Sequence, residues 1–352
     1  MTGKARVLFG FLVLILAACS GWPGRSSPAE ASQTTPPLPS VTATSAPTLP
    51  TPTPTDLPVA ALDIEAAVDP GDAPLPTEAA MPEPTPTPAF CPFLSGRTES
   101  GTFRSAAMAE DVRYLVHLPP CYDWYPDRAY PVLYLFHGWP LDERHWDDLG
   151  IDEWSDDWVS RGLIGPFLIV LPGVSKDGLY VYSSGGAGSF EGFVIDELVP
   201  LMDATYRTVR APAGRAVGGI SRGGVWALEI AMRHTDVFAA VGGHSPALAL
   251  NRPLPQYDPF LLAGTAATGL RYYLDAGDAD WANAATIRLR DLLIELGGDV
   301  TYDVHPGGHV DELWSSSIPD YLSFYAAMWP GSHSALPTWS PPTPAAGTPV
   351  AP

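Results

Sequence analysis

Apolar residues recur along this chain in two distinct rhythms. Short apolar runs that read as strands lie at 132–136, 167–171, 216–219, 238–242 and 270–274, and 299–304 alternates like a half-buried strand. Stretches 101–104 and 112–118 are expected to add antiparallel strands. Between these runs the apolar positions fall at helical spacing, most clearly over 224–233, and another helix is expected from about Val310. Strand and helix alternating in this order predict an α/β domain, a mostly parallel central sheet with helices on both faces. In such a sheet the functional site lies at the carboxyl ends of the strands. The folded region is expected to run over 91–330.

The junction between the 216–219 strand and the 224–233 helix carries the strongest chemical signal. It reads Gly219-Ile220-Ser221-Arg222-Gly223, a G-x-S-x-G flanked as a nucleophile elbow requires. A sharp strand-to-helix turn forces the Ser into a strained conformation and lifts its hydroxyl above the sheet. Small residues are needed on either side because a Cβ clashes in so tight a turn. Ser221 is therefore the candidate nucleophile.

A serine hydroxyl is a poor nucleophile at neutral pH. It needs an imidazole to take its proton and a buried carboxylate to orient that imidazole. In elbow-bearing hydrolases these partners follow in the order Ser, acid, His. The strand 270–274 leads into Asp275-Ala276-Gly277-Asp278-Ala279-Asp280-Trp281, and the last strand leads into His305-Pro306-Gly307-Gly308-His309. His309, just before the final helix, is the expected base, with His305, His244 and His137 as alternatives. Asp280 is the expected acid, with Asp278 as its rival. Asp275 reads as a strand-end residue satisfying local backbone donors. Two backbone N–H groups should form an oxyanion hole: that of Arg222, after the nucleophile, and that of Trp139, in the turn His137-Gly138-Trp139 after the first parallel strand.

Four stretches resemble the esterase D-like family of α/β hydrolases over about residues 98–329. That family includes feruloyl and acetyl-xylan esterases, S-formylglutathione hydrolases, enterochelin-esterase-like proteins and antigen 85-like mycolyltransferases. The stretches are Val116-His117-Leu118-Pro119-Pro120-Cys121-Tyr122-Asp123, the strand from Tyr130 to Gly138, the helix from Asp196 to Arg207, and the elbow from Gly219 to Gly224. The resemblance implies the α/β-hydrolase fold and ester hydrolysis without cofactor or metal. It places the nucleophile at Ser221, the acid at Asp280, the base at His309 and a Trp at Trp314. One departure is Arg222, where the family usually carries Met or Gln; its side chain either steers anionic substrates or binds a nearby carboxylate. Trp314 and Tyr182 are the expected substrate-binding residues. Aromatics near the site loops lean toward carbohydrate-linked esters. Two other readings remain: an acyltransferase of the mycolyltransferase type, and a catalytically silent, envelope-tethered binding module.

The chain ends add a location. Residues 1–18 have the basic start and short apolar core of an export signal, and about a dozen apolar residues are too few to span a membrane comfortably. Leu16-Ala17-Ala18-Cys19 resembles a bacterial lipobox, which implies lipidation of Cys19 and anchoring to the extracytoplasmic face of the membrane. Residues 19–90 are rich in Pro, Thr, Ser and Ala and read as a disordered spacer, with a shorter Pro-rich tail over 331–352. Cys91 and Cys121 then remain as an even pair in an oxidising compartment, and a disulfide between them is expected.

Charge narrows the partners. Lys and Arg number 19 against 39 Asp and Glu, a net charge of −20, which disfavours nucleic acid. The acidic run over 142–157 alternates with Trp and Ile and reads as an amphipathic helix with a solvated face, with a metal site as the lesser alternative. Neither acyl specificity nor oligomeric state is legible.

Overall fold

Each short apolar run becomes a strand, and most are extended at their carboxyl ends. The computed structural model describes residues 93–173, 185–186, 188–250 and 252–330, all within the compact unit Met81–Pro352. Cys19, Cys91, Tyr182, the export segment, the spacer and the tail lie outside the described residues. The strands are β1 Arg97–Arg104, β2 Asp111–Leu118, β3 Val132–Phe136, β4 Leu168–Pro172, β5 Arg215–Ile220, β6 Ala240–His244, β7 Arg271–Gly277 and β8 Asp299–His305. They form one sheet in the order β1-β2-β4-β3-β5-β6-β7-β8. The pairings β1–β2 and β2–β4 are antiparallel, and β4 through β8 are joined in parallel. The expectation of two antiparallel strands beside a parallel sheet holds.

The pleat divides the apolar residues between two cores. In β3, Val132, Tyr134 and Phe136 face one core while Leu133 and Leu135 face the other. The first core is closed by helices Arg222–Arg233, Pro259–Ala266 and Asn283–Glu295 and by the helical stretch that ends with Val199–Thr205. The second is closed by helices Ile151–Ser160 and Asp311–Ala326. A sheet buried on both faces requires near-continuous apolar strands, and all residues of β3, β4, β5 and β6 are buried.

Two local expectations change. The acidic run is not one helix but two, His145–Asp148 and Ile151–Ser160, broken at Gly150 with φ 92°. The break lets both Trp146 and Ile151 enter the core. Asp275 is not a strand-end residue capping local donors. β6 and β7 run on to pair His244 with Asp275, and the fully buried Asp275 carboxyl meets the His244 ring, Nδ1 to Oδ1 2.9 Å. The Tyr321 hydroxyl donates to the other Asp275 oxygen at 2.8 Å, and the Tyr325 hydroxyl lies 2.9 Å from His244 Nε2. No periodicity in the sequence announces a buried polar pair there.

Candidate active site

Ser221 sits between β5 and the helix Arg222–Arg233, with φ 55° and ψ −113°. A non-glycine residue in this region is strained and persists only where its surroundings fix it. They do: its N–H donates to the His244 carbonyl at 2.9 Å, and its own carbonyl accepts from the Ala247 N–H at 2.9 Å. The elbow's glycines are sterically required. A Cβ on Gly219 would collide with the Gly223 backbone, and one on Gly223 would stand 2.5 Å from the carbonyl oxygens of Phe136 and His137.

Two loops converge on Ser221. His309, between β8 and the helix Asp311–Ala326, has Nε2 2.8 Å from Ser221 Oγ. Its Nδ1 is 3.0 Å from each oxygen of Asp280, in the turn after β7. Asp280 also accepts the Ala282 N–H at 2.7 Å. Burial pushes the Asp280 carboxyl up, but hydrogen bonds from His309, the Ala282 amide and the Ser245 hydroxyl, with attraction to the His309 ring, outweigh it and hold its pKa below the usual carboxylate value. A carboxylate that stays charged fixes Nδ1 as the protonated nitrogen, leaving Nε2 to accept the serine proton.

The other candidates lie apart. Asp278 accepts the Gly307 N–H at 3.0 Å, fixing the loop that carries His309. His305 is 3.7 Å from Asp275, and His244 belongs to the buried pair described above. His137 is buried against the Gly138 carbonyl, 2.9 Å from its Nδ1; burial lowers its pKa to about 4. Arg222 is the first residue of its helix, where backbone amides have no acceptor within the helix and the helix dipole adds positive potential. Its side chain is buried, and its positive charge favours the ionised form of Glu229, against the larger effect of burial. Trp139 follows Gly138, whose Cα lies so near the nucleophile that a Cβ there would be 3.5 Å from Ser221 Cβ.

Trp314, expected at the substrate, is only 5% exposed. It stands edge-on to the His309 ring at 5.0 Å and donates its indole N–H to Ser245 Oγ at 3.1 Å. It thus backs the imidazole and leaves little surface for a ligand. The aromatic at the mouth is Trp281, 45% exposed and tilted over the His309 ring at 4.4 Å. A cavity of about 810 Å³ opens beside the site, lined by Pro140, Leu141, His145, Asp311 and Ser315 among others. His145 joins its two sides, its Nδ1 accepting the Gly138 N–H at 3.4 Å and its Nε2 lying 3.2 Å from Asp311. Among the described residues no group of three or more His, Cys, Asp or Glu is arranged to hold a metal ion. Sequence reasoning did not single out Ser245 or His145; each acts through contacts with residues remote in the chain.

The family model of the putative esterases matches residues 105–325, well over half of the 352 residues. The chain belongs to this esterase family. An esterase of Mycobacterium tuberculosis is 39% identical over 130 residues, 36% of this chain and 27% of that protein. An endo-1,4-beta-xylanase/feruloyl esterase of Xylanibacter ruminicola is 32% identical over 155 residues, 42% of this chain and 21% of that protein. The matched stretches thus span about a quarter of these curated relatives. Among solved structures, a ferulic acid esterase superimposes with TM-score 0.61 at 22% identity, covering 67% of this chain and 99% of that one. An S-formylglutathione hydrolase of Staphylococcus aureus gives 0.57 at 15% identity, covering 66% and 99%. At these identities the superpositions speak to the fold, which is that of the α/β hydrolases.

Proposed function

We propose that this member of the esterase family is a serine hydrolase of carboxylic esters, anchored outside the cytoplasm by a lipid on Cys19. The observation that carries the reading is the chain of contacts from Ser221 Oγ through His309 to Asp280, with spacings of 2.8 and 3.0 Å. In this reading Ser221 attacks the ester carbonyl as His309 Nε2 takes its proton. The oxyanion is held by the Arg222 and Trp139 amides. His309 returns the proton to the leaving alcohol, and water then resolves the acyl-enzyme by the reverse sequence. No step calls on a cofactor.

The naming of one relative as a feruloyl esterase and of a structural neighbour as a ferulic acid esterase favours carbohydrate-linked esters as substrates. Exposed Trp281 beside the imidazole supports this, because aromatic faces suit sugar or aryl rings. The lipobox-like end and the Pro-rich spacer support surface anchoring, and the Cys91–Cys121 bridge is supported by Cys121 being disulfide-bonded. Hydrolysis of short-chain p-nitrophenyl esters by the purified protein, beside Ser221→Ala, tests the activity. Product analysis with an added sugar acceptor separates hydrolysis from acyl transfer. A folded protein that neither turns over esters nor reacts with a fluorophosphonate would favour the silent binding module instead.

A further inference from the structure

Ser221 is not the only strained residue beside the imidazole. Ser245, immediately after β6, has φ 47° and no exposed surface. A side chain in the left-handed region is strained and persists only where its surroundings hold it. The turn from His244 to Ala247 grips the nucleophile's backbone at both polar groups: the His244 carbonyl accepts the Ser221 N–H, and the Ala247 N–H donates to the Ser221 carbonyl, each at 2.9 Å. The Ser245 N–H is itself tied to the Asp275 carbonyl on β7 at 2.9 Å. Its hydroxyl accepts the Trp314 indole N–H at 3.1 Å. Trp314 in turn packs edge-on to the His309 ring at 5.0 Å.

We infer that Ser245 is a positioning residue that holds the nucleophile and the base of the triad in register. Its backbone sets the turn that clamps Ser221, and its hydroxyl fixes the Trp314 indole that packs behind His309. The inference rests on the triad reading above.

Two variants remove the hydroxyl. Ser245→Gly keeps the positive φ without strain, and Ser245→Ala keeps the Cβ; both lose the oxygen. Each is compared with wild type by p-nitrophenyl ester kinetics, with rates divided by the number of sites titrated by a fluorophosphonate. The expectation for both is a kcat per titrated site lower by about tenfold, with KM little changed. If Ser245→Ala fails to fold, Ser245→Gly decides alone. A Ser245→Gly protein with wild-type kcat per site overturns the inference, even if its thermal stability has fallen. Wild-type protein without activity or labelling would instead overturn the triad reading, so the two failures are distinguishable.

Discussion

Asp280→Asn isolates the part of the mechanism that depends on one proton's location. In the native site the His309 Nδ1–H faces both carboxylate oxygens at 3.0 Å. Oδ1 also receives the Ala282 amide at 2.7 Å, so an asparagine must place its oxygen there and its NH2 where Oδ2 was. That NH2 points at Nδ1 and opposes a proton on it. The imidazole then favours the tautomer protonated at Nε2, which donates to Ser221 Oγ across 2.8 Å instead of accepting from it. The carboxylate's stabilisation of the imidazolium is lost as well. An acid-to-amide change that reverses the tautomer costs about 10⁴ in kcat in a serine protease triad. Here the retained oxygen can still accept from Nδ1, so the expectation is a loss of about 10³–10⁴, or roughly 4–5.5 kcal/mol of transition-state stabilisation. KM should change little, because Asp280 is buried behind the imidazole. The assay is steady-state hydrolysis of p-nitrophenyl butyrate, with circular dichroism and a urea midpoint to confirm an intact fold. A folded Asp280→Asn protein within tenfold of wild type would refute the assignment of Asp280 as the orienting acid.

Three further outcomes follow from burial. Gly223→Ala places a Cβ 2.5 Å from two backbone oxygens that cannot rotate away, so urea denaturation should show a loss of about 1–3 kcal/mol or more. Asp275→Asn replaces a fully buried carboxyl that meets the His244 ring and accepts the Tyr321 hydroxyl and should cost about 1–3 kcal/mol in the same assay; a loss below about 0.5 kcal/mol would contradict its place in the buried hydrogen-bond network. Glu229 is raised to about 8, first by burial and then by the charge of Glu191, against the opposing effects of Arg233, the Gly185 backbone and Arg222. Its folded pKa lies above its unfolded one, so the folded state holds the extra proton and loses stability as pH rises from about 4.5 through 8. Glu229→Gln should therefore melt higher than wild type at pH 8, with the advantage shrinking toward pH 5; the opposite trend would show that Glu229 is held as a carboxylate.

The parts of this molecule legible in its sequence are those written locally. Apolar runs announced the strands because strands buried on both faces need continuous apolar character. The elbow announced Ser221 because its turn tolerates only glycine at Gly219 and Gly223. The order of acid and base along the chain pointed to Asp280 and His309, which the fold brings to Ser221. What the sequence concealed is built from distant partners. His244 and Asp275 meet across neighbouring strands, 31 positions apart, and His145 meets Asp311 across 166. Trp314 carried an aromatic signal that reads equally as ligand platform or core; its depth behind His309 shows only in three dimensions. The break at Gly150 was hidden because acids on one face and Trp or Ile on the other suit two short helices as well as one long one.

The central claim is that Ser221 is an activated nucleophile, and covalent labelling tests it most directly. The purified protein is treated with a fluorophosphonate, digested and mapped by mass spectrometry, beside Ser221→Ala. The account predicts one adduct per chain, on Ser221, absent from the variant, together with a fall in ester hydrolysis of about 10³ or more in that variant. An unlabelled Ser221 in folded protein, or hydrolysis that survives Ser221→Ala, would contradict it.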